Sequence, residues 1–257
     1  METTLSNGIK PGALRPLGEL VSLTRVHKAY GEGFTGVHAL HDINLRVSPG
    51  EMVALCGPCG SGKTSLLNLV GMLEMPTEGS VVVVSLLVSK LSEQARADLR
   101  NDMIGFVFQT FTLIPVLTAR ENVLLPMMLR GRLEHAELAA VHRRADTLLS
   151  SLGLASQAEN YPARLNPCQS QRVAIARALV ARPRLVLADE PTSRLDSASI
   201  CRVSELFARE QQEHGTAFLI TTRDQRQLSR ATRTLQLVEG RLLAAPGGDR
   251  RPVRVQL

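Results

Sequence analysis

The sequence predicts an α/β fold with a buried parallel sheet, and three observations carry that prediction. Met52-Val-Ala-Leu55 is an apolar run that enters a glycine-rich loop and then a helix. Leu185-Val-Leu-Ala188 and Phe218–Thr222 are further short apolar runs, the pattern of strands covered on both faces. Long stretches with helical leucine spacing lie between these runs, so strands and helices alternate. The 257 residues suffice for one large α/β domain or two small ones, and 44% hydrophobic residues supply a core.

Residues 1–19 hold glycines and prolines with little periodicity and read as a loose leader. Val21-Ser-Leu23-Thr24 and Ile43-Asn-Leu45-Arg-Val47 alternate apolar and polar, as an antiparallel β subdomain would. Pro49-Gly50 marks a turn before the first buried strand. A helix is expected from Lys63 to about Leu73, a strand over Val81–Val88, a charged helix over Ser92–Arg100 and a short strand over Ile104–Phe108. Helical spacing over Glu121–Leu129 and Leu133–Leu152 puts Leu148, Leu149 and Leu152 on one face. This stretch reads as an inserted helical subdomain of about residues 112–170. Asn166 is a candidate N-cap with Pro167 in the first turn. Residues 244–257 read as a basic tail, which leaves 20–243 as one folded domain.

Composition excludes several classes. The net charge of +6 is a modest basic excess, and aromatics are only 3%, with no Trp and two Tyr. A single-strand nucleic-acid binder built on stacking platforms is poorly served by that inventory, and no nucleic-acid partner is expected. Four unevenly spaced Cys do not make a secreted disulfide framework, which makes a reducing cytosol the default. Met1–Lys10 has no apolar signal segment, and Val81–Val88 is far short of the roughly 18 residues of a membrane span. Any membrane connection is therefore expected through a partner.

Gly57-Pro58-Cys59-Gly60-Ser61-Gly62-Lys63-Thr64 fits G-x-x-x-x-G-K-[ST] in its required place, after a strand and before a helix. That is the phosphate-binding loop of a P-loop NTPase. The glycines let the backbone wrap phosphates, so that main-chain N–H groups and the helix N-terminus face the anion. Lys63 supplies charge to the terminal phosphates, and the Thr64 hydroxyl is a Mg²⁺ ligand. Cys56-Gly-Pro-Cys59 also spells C-x-x-C, but the residues that follow and the length of the chain argue against a thioredoxin-type enzyme.

Asp189-Glu190 ends an apolar strand with two carboxylates. Asp189 is placed to hold Mg²⁺, and Glu190 to act as general base on water. The long separation from the phosphate loop argues against small nucleotide kinases.

From about Leu20 to Leu243 the sequence resembles the nucleotide-binding subunits of ABC transporters, in the branch with lipoprotein-release and macrolide-export ATPases. The resemblance is carried by Val37-His-Ala-Leu40, Asp42-Ile-Asn-Leu45, Ile104-Gly-Phe-Val-Phe-Gln109, Leu117–Val123, Gln171–Leu179, Leu187–Thr192 and Leu195-Asp196. It implies a RecA-like core and two ATP molecules, with Mg²⁺, sandwiched in a head-to-tail dimer with a second ATP-binding subunit. It also implies a separate integral-membrane permease, hence a place on the cytoplasmic face of the membrane. By the same resemblance Tyr30 stacks on adenine, Gln109 senses Mg²⁺ and the attacking water, Glu190 is the base and Asp196 lies on the loop that crosses the dimer.

Two departures stand out. The family's Leu-Ser-Gly-Gly-Gln signature is here Leu165-Asn166-Pro167-Cys168-Gln169. Pro167 lacks an N–H, and Cys168 adds a Cβ where backbone should approach the partner's nucleotide; Asn166 and Gln169 keep polar side chains. Arg223 stands where the family has a histidine near the γ-phosphate. It can clamp a phosphate but cannot exchange a proton near neutral pH. The expected function is thus an energy-coupling ATPase subunit, with a slow or inactive ATP-binding regulator as the alternative.

Overall fold

The structure is a computed structural model that describes residues 18–31, 36–130 and 134–243. Most of the expected leader and all of the expected tail lie outside these residues. Two sheets carry the fold. β1 (Val21–Tyr30) and β2 (Val37–Val47) pair antiparallel, and with β4 (Glu78–Val83) and β5 (Leu86–Leu87) they form a sheet in the order β2-β1-β4-β5. The second sheet adds β3 (Met52–Cys56), β6 (Ile104–Val107), β7 (Leu185–Asp189), β8 (Ala217–Thr221), β9 (Arg233–Val238) and β10 (Arg241–Leu243). Its order is β10-β9-β3-β8-β7-β6, parallel except for the β9–β10 hairpin.

The apolar runs read as doubly covered strands divide their side chains between two cores. Leu185, Leu187, Ala217 and Leu219 pack into a core with β1, β2, β4 and helix α1 (Lys63–Val70). Their neighbours Val186, Ala188, Phe218 and Ile220 face a second core. That core is filled from α3 (Ala119–Met128), α4 (His135–Ser151), α5 (Pro167–Leu179) and α6 (Ser197–His214). Each fully buried Leu or Val contributes roughly 1.5–3 kcal/mol, so the period-2 division of these strands fixes which layer lies on which face. Phe207 of α6 meets Phe218 of β8 with ring centroids 4.8 Å apart.

Short contacts lock the layers. Gly105 of β6 lets α5 approach, since a Cβ there would stand 2.1 Å from the Ala178 carbonyl oxygen. Arg144 of α4 pairs with the buried Glu210 of α6 at 2.8 Å and donates to the Leu179 and Val180 carbonyls at the end of α5.

The element boundaries depart from expectation in several places. The strand expected over Val81–Val88 is a hairpin: β4 ends at Val83, β5 is Leu86–Leu87, and Val84 and Ser85 both take positive φ (50° and 64°). A single 3₁₀ turn follows at Val88–Lys90. Helix α1 stops at Val70 rather than Leu73, because the chain turns through Gly71 and a left-handed Met72 (φ 56°). The charged helix α2 runs Glu93–Met103, with the Ser92 hydroxyl accepting from the Ala95 amide as cap. A four-residue helix α7 (Gln225–Leu228) follows β8.

Candidate functional site

Three loops leave the carboxyl ends of the adjacent strands β3, β8 and β7, and they converge on one cavity of about 540 Å³. Binding crevices of open parallel sheets lie at this end. From β3 comes the loop 57–62. Gly57 (φ 151°) and Gly62 (φ 97°) are demanded by neighbouring backbone: a Cβ would stand 2.0 Å from the Leu237 oxygen at the first and 2.4 Å from the Ala39 oxygen at the second. Gly60 (φ 75°) has nothing around its Cβ position and faces open space. The Lys63 ammonium curls back under the loop and donates to the carbonyls of Gly57 (3.0 Å) and Pro58 (2.7 Å).

From β7 come the two carboxylates. Asp189 accepts from the Thr64 hydroxyl at 2.7 Å and from the Thr221 hydroxyl at 2.5 Å, which fixes both of its oxygens. Glu190 takes φ 46°, a strained conformation for a non-glycine residue. Its N–H donates to the Thr221 carbonyl (3.1 Å) and hydroxyl (2.9 Å). Thr221 therefore orients both acids, a role that its place in an apolar run did not signal.

From β8 comes Arg223. Its Nη2 lies 2.7 Å from the Cys59 Sγ, and its Nε lies 3.6 Å from Glu190 Oε1. It bridges the phosphate loop and the acidic pair.

Tyr30, Cys59, Gly60, Gly62, Lys63, Thr64, Gln109, Asp189, Glu190 and Arg223 all line this cavity. Gly57, Pro58 and Ser61 shape the loop behind it. The sequence reading missed His38, His41, Glu239 and Gly240, which also line it. The His38 and His41 rings stack at 5.6 Å, and burial, then Arg241 and the neighbouring histidines, hold His41 below its ordinary pKa. At the rim the Tyr30 hydroxyl donates to Glu74 at 2.6 Å, and the Lys28 ammonium sits over its ring while pairing with Glu74 at 3.1 Å. Burial and then the Glu74 contact raise the Tyr30 pKa.

Asn166, Gln169 and Asp196 do not line the cavity; they form a second cluster. Asn166 Oδ1 accepts from the Gln169 N–H (2.8 Å), and Gln169 Oε1 accepts from the Asn166 N–H (2.9 Å), a reciprocal cap for α5. Cys168 Sγ lies 3.5 Å from Asp196 Oδ2. The Ser199 amide and hydroxyl hold the Asp196 carboxyl below the usual carboxylate range. Gln171 joins the two clusters by donating to the carbonyl of Pro191, next to Glu190.

Residues 40–193, well over half of the chain, match the ABC transporter family. The chain belongs to that family. As an ABC protein it is 43% identical, over 84% of its length and 92% of the relative's, to the lipoprotein-releasing system ATP-binding protein LolD of Bordetella avium. It is 41% identical to LolD of Bordetella pertussis, over 88% of this chain and 96% of that one. Among solved structures it resembles the dimeric ATP-binding cassette MJ0796, in a post-hydrolysis state bound to ADP and Pi, with a TM-score of 0.81 and 38% identity. That match covers 86% of this chain and 96% of MJ0796. CbiO1 of Clostridium perfringens, part of the ABC transporter complex cbiONQ, matches with a TM-score of 0.75 and 26% identity over 89% and 88% of the two chains. The P-loop ABC fold accounts for both sheets and for the cavity between the loops.

Proposed function

We propose that this chain is the ATP-binding, energy-coupling subunit of an ABC transport complex. It works with a separate membrane permease and a second ATP-binding subunit. The observation that carries this reading is the convergence of Lys63, Thr64, Asp189 and Glu190 on one cavity at the carboxyl ends of β3 and β7. Lys63 leaves its two carbonyl partners to meet the terminal phosphates, and the loop amides take the remaining oxygens. Thr64 Oγ1 and Asp189 Oδ2 already point at one another, which suits a Mg²⁺ held by a hydroxyl, a carboxylate, Gln109 and phosphate oxygens. Bound there, Mg²⁺ would neutralise charge on the transferring phosphate. Glu190 draws a proton from water, and Tyr30 offers its ring to the base.

The permease reading rests on two features. No helix among the described residues is long and apolar enough to cross a membrane. An apolar groove of about 490 Å³ opens beside Gln109, lined by Phe106, Phe108, Leu125 and Leu129. LolD belongs to a lipoprotein-releasing system, which favours extraction of a lipid-anchored cargo by the complex of this chain too. Equilibrium binding of ATP, with and without Mg²⁺, tests the site; a chain that binds neither ATP nor Mg²⁺-ATP refutes the proposal.

A second reading is favoured by Arg223 and Pro167: an ATP-binding regulatory subunit with little turnover. Arg223 holds the general base in an ion pair, and Pro167 offers no N–H at the start of α5. A purified chain that turns over ATP within the usual range of about 1–10² s⁻¹ excludes it.

A further inference from the structure

Gln109 is followed by a turn that is held from outside. Thr112 takes φ 41°, a strained position for a β-branched residue. Arg177 on α5 holds it there. Its Nη1 donates to the Thr112 carbonyl (3.0 Å), and its Nη2 donates to the Phe111 carbonyl (2.9 Å) and the Thr112 hydroxyl (3.2 Å). The Arg194 guanidinium also lies 5.3 Å from the Phe111 ring centre. Among the described residues Arg177 forms no ion pair, so all of its donated bonds go to this turn. Burial pulls its pKa below the ordinary arginine value. A half-buried guanidinium with no counter-charge, spent on one strained segment, is a costly arrangement, and strain of this kind persists only where the surroundings over-determine it.

The placement suggests why it is kept. Arg177 and Thr112 both line the apolar groove, Phe108 lines it as well, and Gln109, the next residue, lines the nucleotide cavity. We propose that Arg177 is a positioning residue for Gln109: its clasp on Phe111 and Thr112 sets where the Gln109 amide stands over the nucleotide cavity. The clasp is exposed to whatever occupies the groove. It also ties Gln109 to α5, the helix whose other end is capped by Asn166 and Gln169. The effect on the nucleotide rests on the place given to Gln109 above.

The test is hydrogen–deuterium exchange on the full chain without nucleotide, with Arg177→Met and Arg177→Lys. The readout is the Ile114 amide, which donates to Asn122 Oδ1 two residues beyond the clasp. It is expected to exchange at least tenfold faster in Arg177→Met and by an intermediate amount in Arg177→Lys, while the amides of 170–179 keep their protection. Thr112→Gly removes the strain, so in its background Arg177→Met is expected to have little further effect on the same amide. Unchanged exchange at Ile114, or equal loosening of 170–179, overturns the clasp. The Mg²⁺ concentration for half-maximal ATP binding is read in parallel. It is expected to rise severalfold in Arg177→Met, with ATP affinity in a chelator unchanged. Faster exchange with no change in the Mg²⁺ requirement would instead overturn the assignment of Gln109 and leave the clasp standing.

Discussion

The Arg223 guanidinium stands 3.6 Å from the Glu190 carboxylate, so the group we propose as general base is held in an ion pair with a residue that follows the neighbouring strand. The same side chain reaches Cys59 in the phosphate loop. Arg223 is half exposed, so this is a restraint that an incoming phosphate can break rather than a buried lock.

Replacing Arg223 with His frees Glu190 and restores a group that can exchange a proton near neutral pH. ATP turnover is expected to rise by roughly 10–10²-fold, the scale on which placement of a reacting group acts. Steady-state phosphate release checks it. A variant no faster than the parent rules out Arg223 as a brake on turnover.

Lys63→Ala removes the ammonium that sits under the phosphate loop. ATP at a hundred times its Kd is expected to stabilise the parent by about 2.7 kcal/mol and the variant hardly at all. Thermal melts with and without ATP read this directly.

The loop glycines are not equivalent. Gly57→Ala drives a Cβ to 2.0 Å from the Leu237 oxygen, a backbone atom that cannot turn away, and the expected loss is on the order of 4 kcal/mol. Gly60→Ala meets nothing, and costs only the left-handed penalty of about 1–2 kcal/mol. Urea unfolding of the two variants should separate them clearly; equal losses would mean that the contact with β9 does not decide the first position.

Glu210 is 2% exposed and is the partner of Arg144. Glu210→Leu leaves that guanidinium, which also caps the end of α5, without its counter-charge. The expected cost is about 3–5 kcal/mol. A loss under about 1 kcal/mol in urea unfolding would show that the two carbonyl contacts of Arg144 suffice.

At the rim, burial raises the Glu74 pKa, but hydrogen bonds from Tyr30, Asn68 and Lys28 outweigh it and hold the carboxyl below its ordinary value of 4.5. A depressed carboxyl stabilises the fold above its unfolded pKa and loses that contribution as pH falls through the folded one. Tyr30→Phe removes one of the donors, so the variant should lose less stability than the parent between neutral pH and acid below 4.5. Parallel loss in both proteins would refute the coupling.

Much of this was legible in the residues. The phosphate loop, Asp189-Glu190 and the apolar runs at 185 and 218 point to the fold because each obeys a local rule of period or spacing. The hairpin at Val84-Ser85 was not legible, since a β-branched Val rarely takes positive φ and no Gly or Asn marks the turn, and pairing between β4 and β5 imposes it. Thr221 was equally hidden. Its hydroxyl serves Asp189 only because β8 lies beside β7, and that adjacency belongs to strand order rather than sequence. His38, His41 and Glu239 reach the cavity for the same reason, through strands that meet far from their neighbours in the chain.

The position of β8 between β3 and β7 has a further consequence for how this protein can be retuned. Whatever side chain follows β8 stands between the loop that grips phosphates and the acid that activates water, with neither of those motifs altered. On the function proposed above, residue 223 would act as a one-site rheostat. Changing it alone is expected to alter how long the chain dwells on its nucleotide, while Lys63, Thr64, Asp189 and the apolar groove stay as they are.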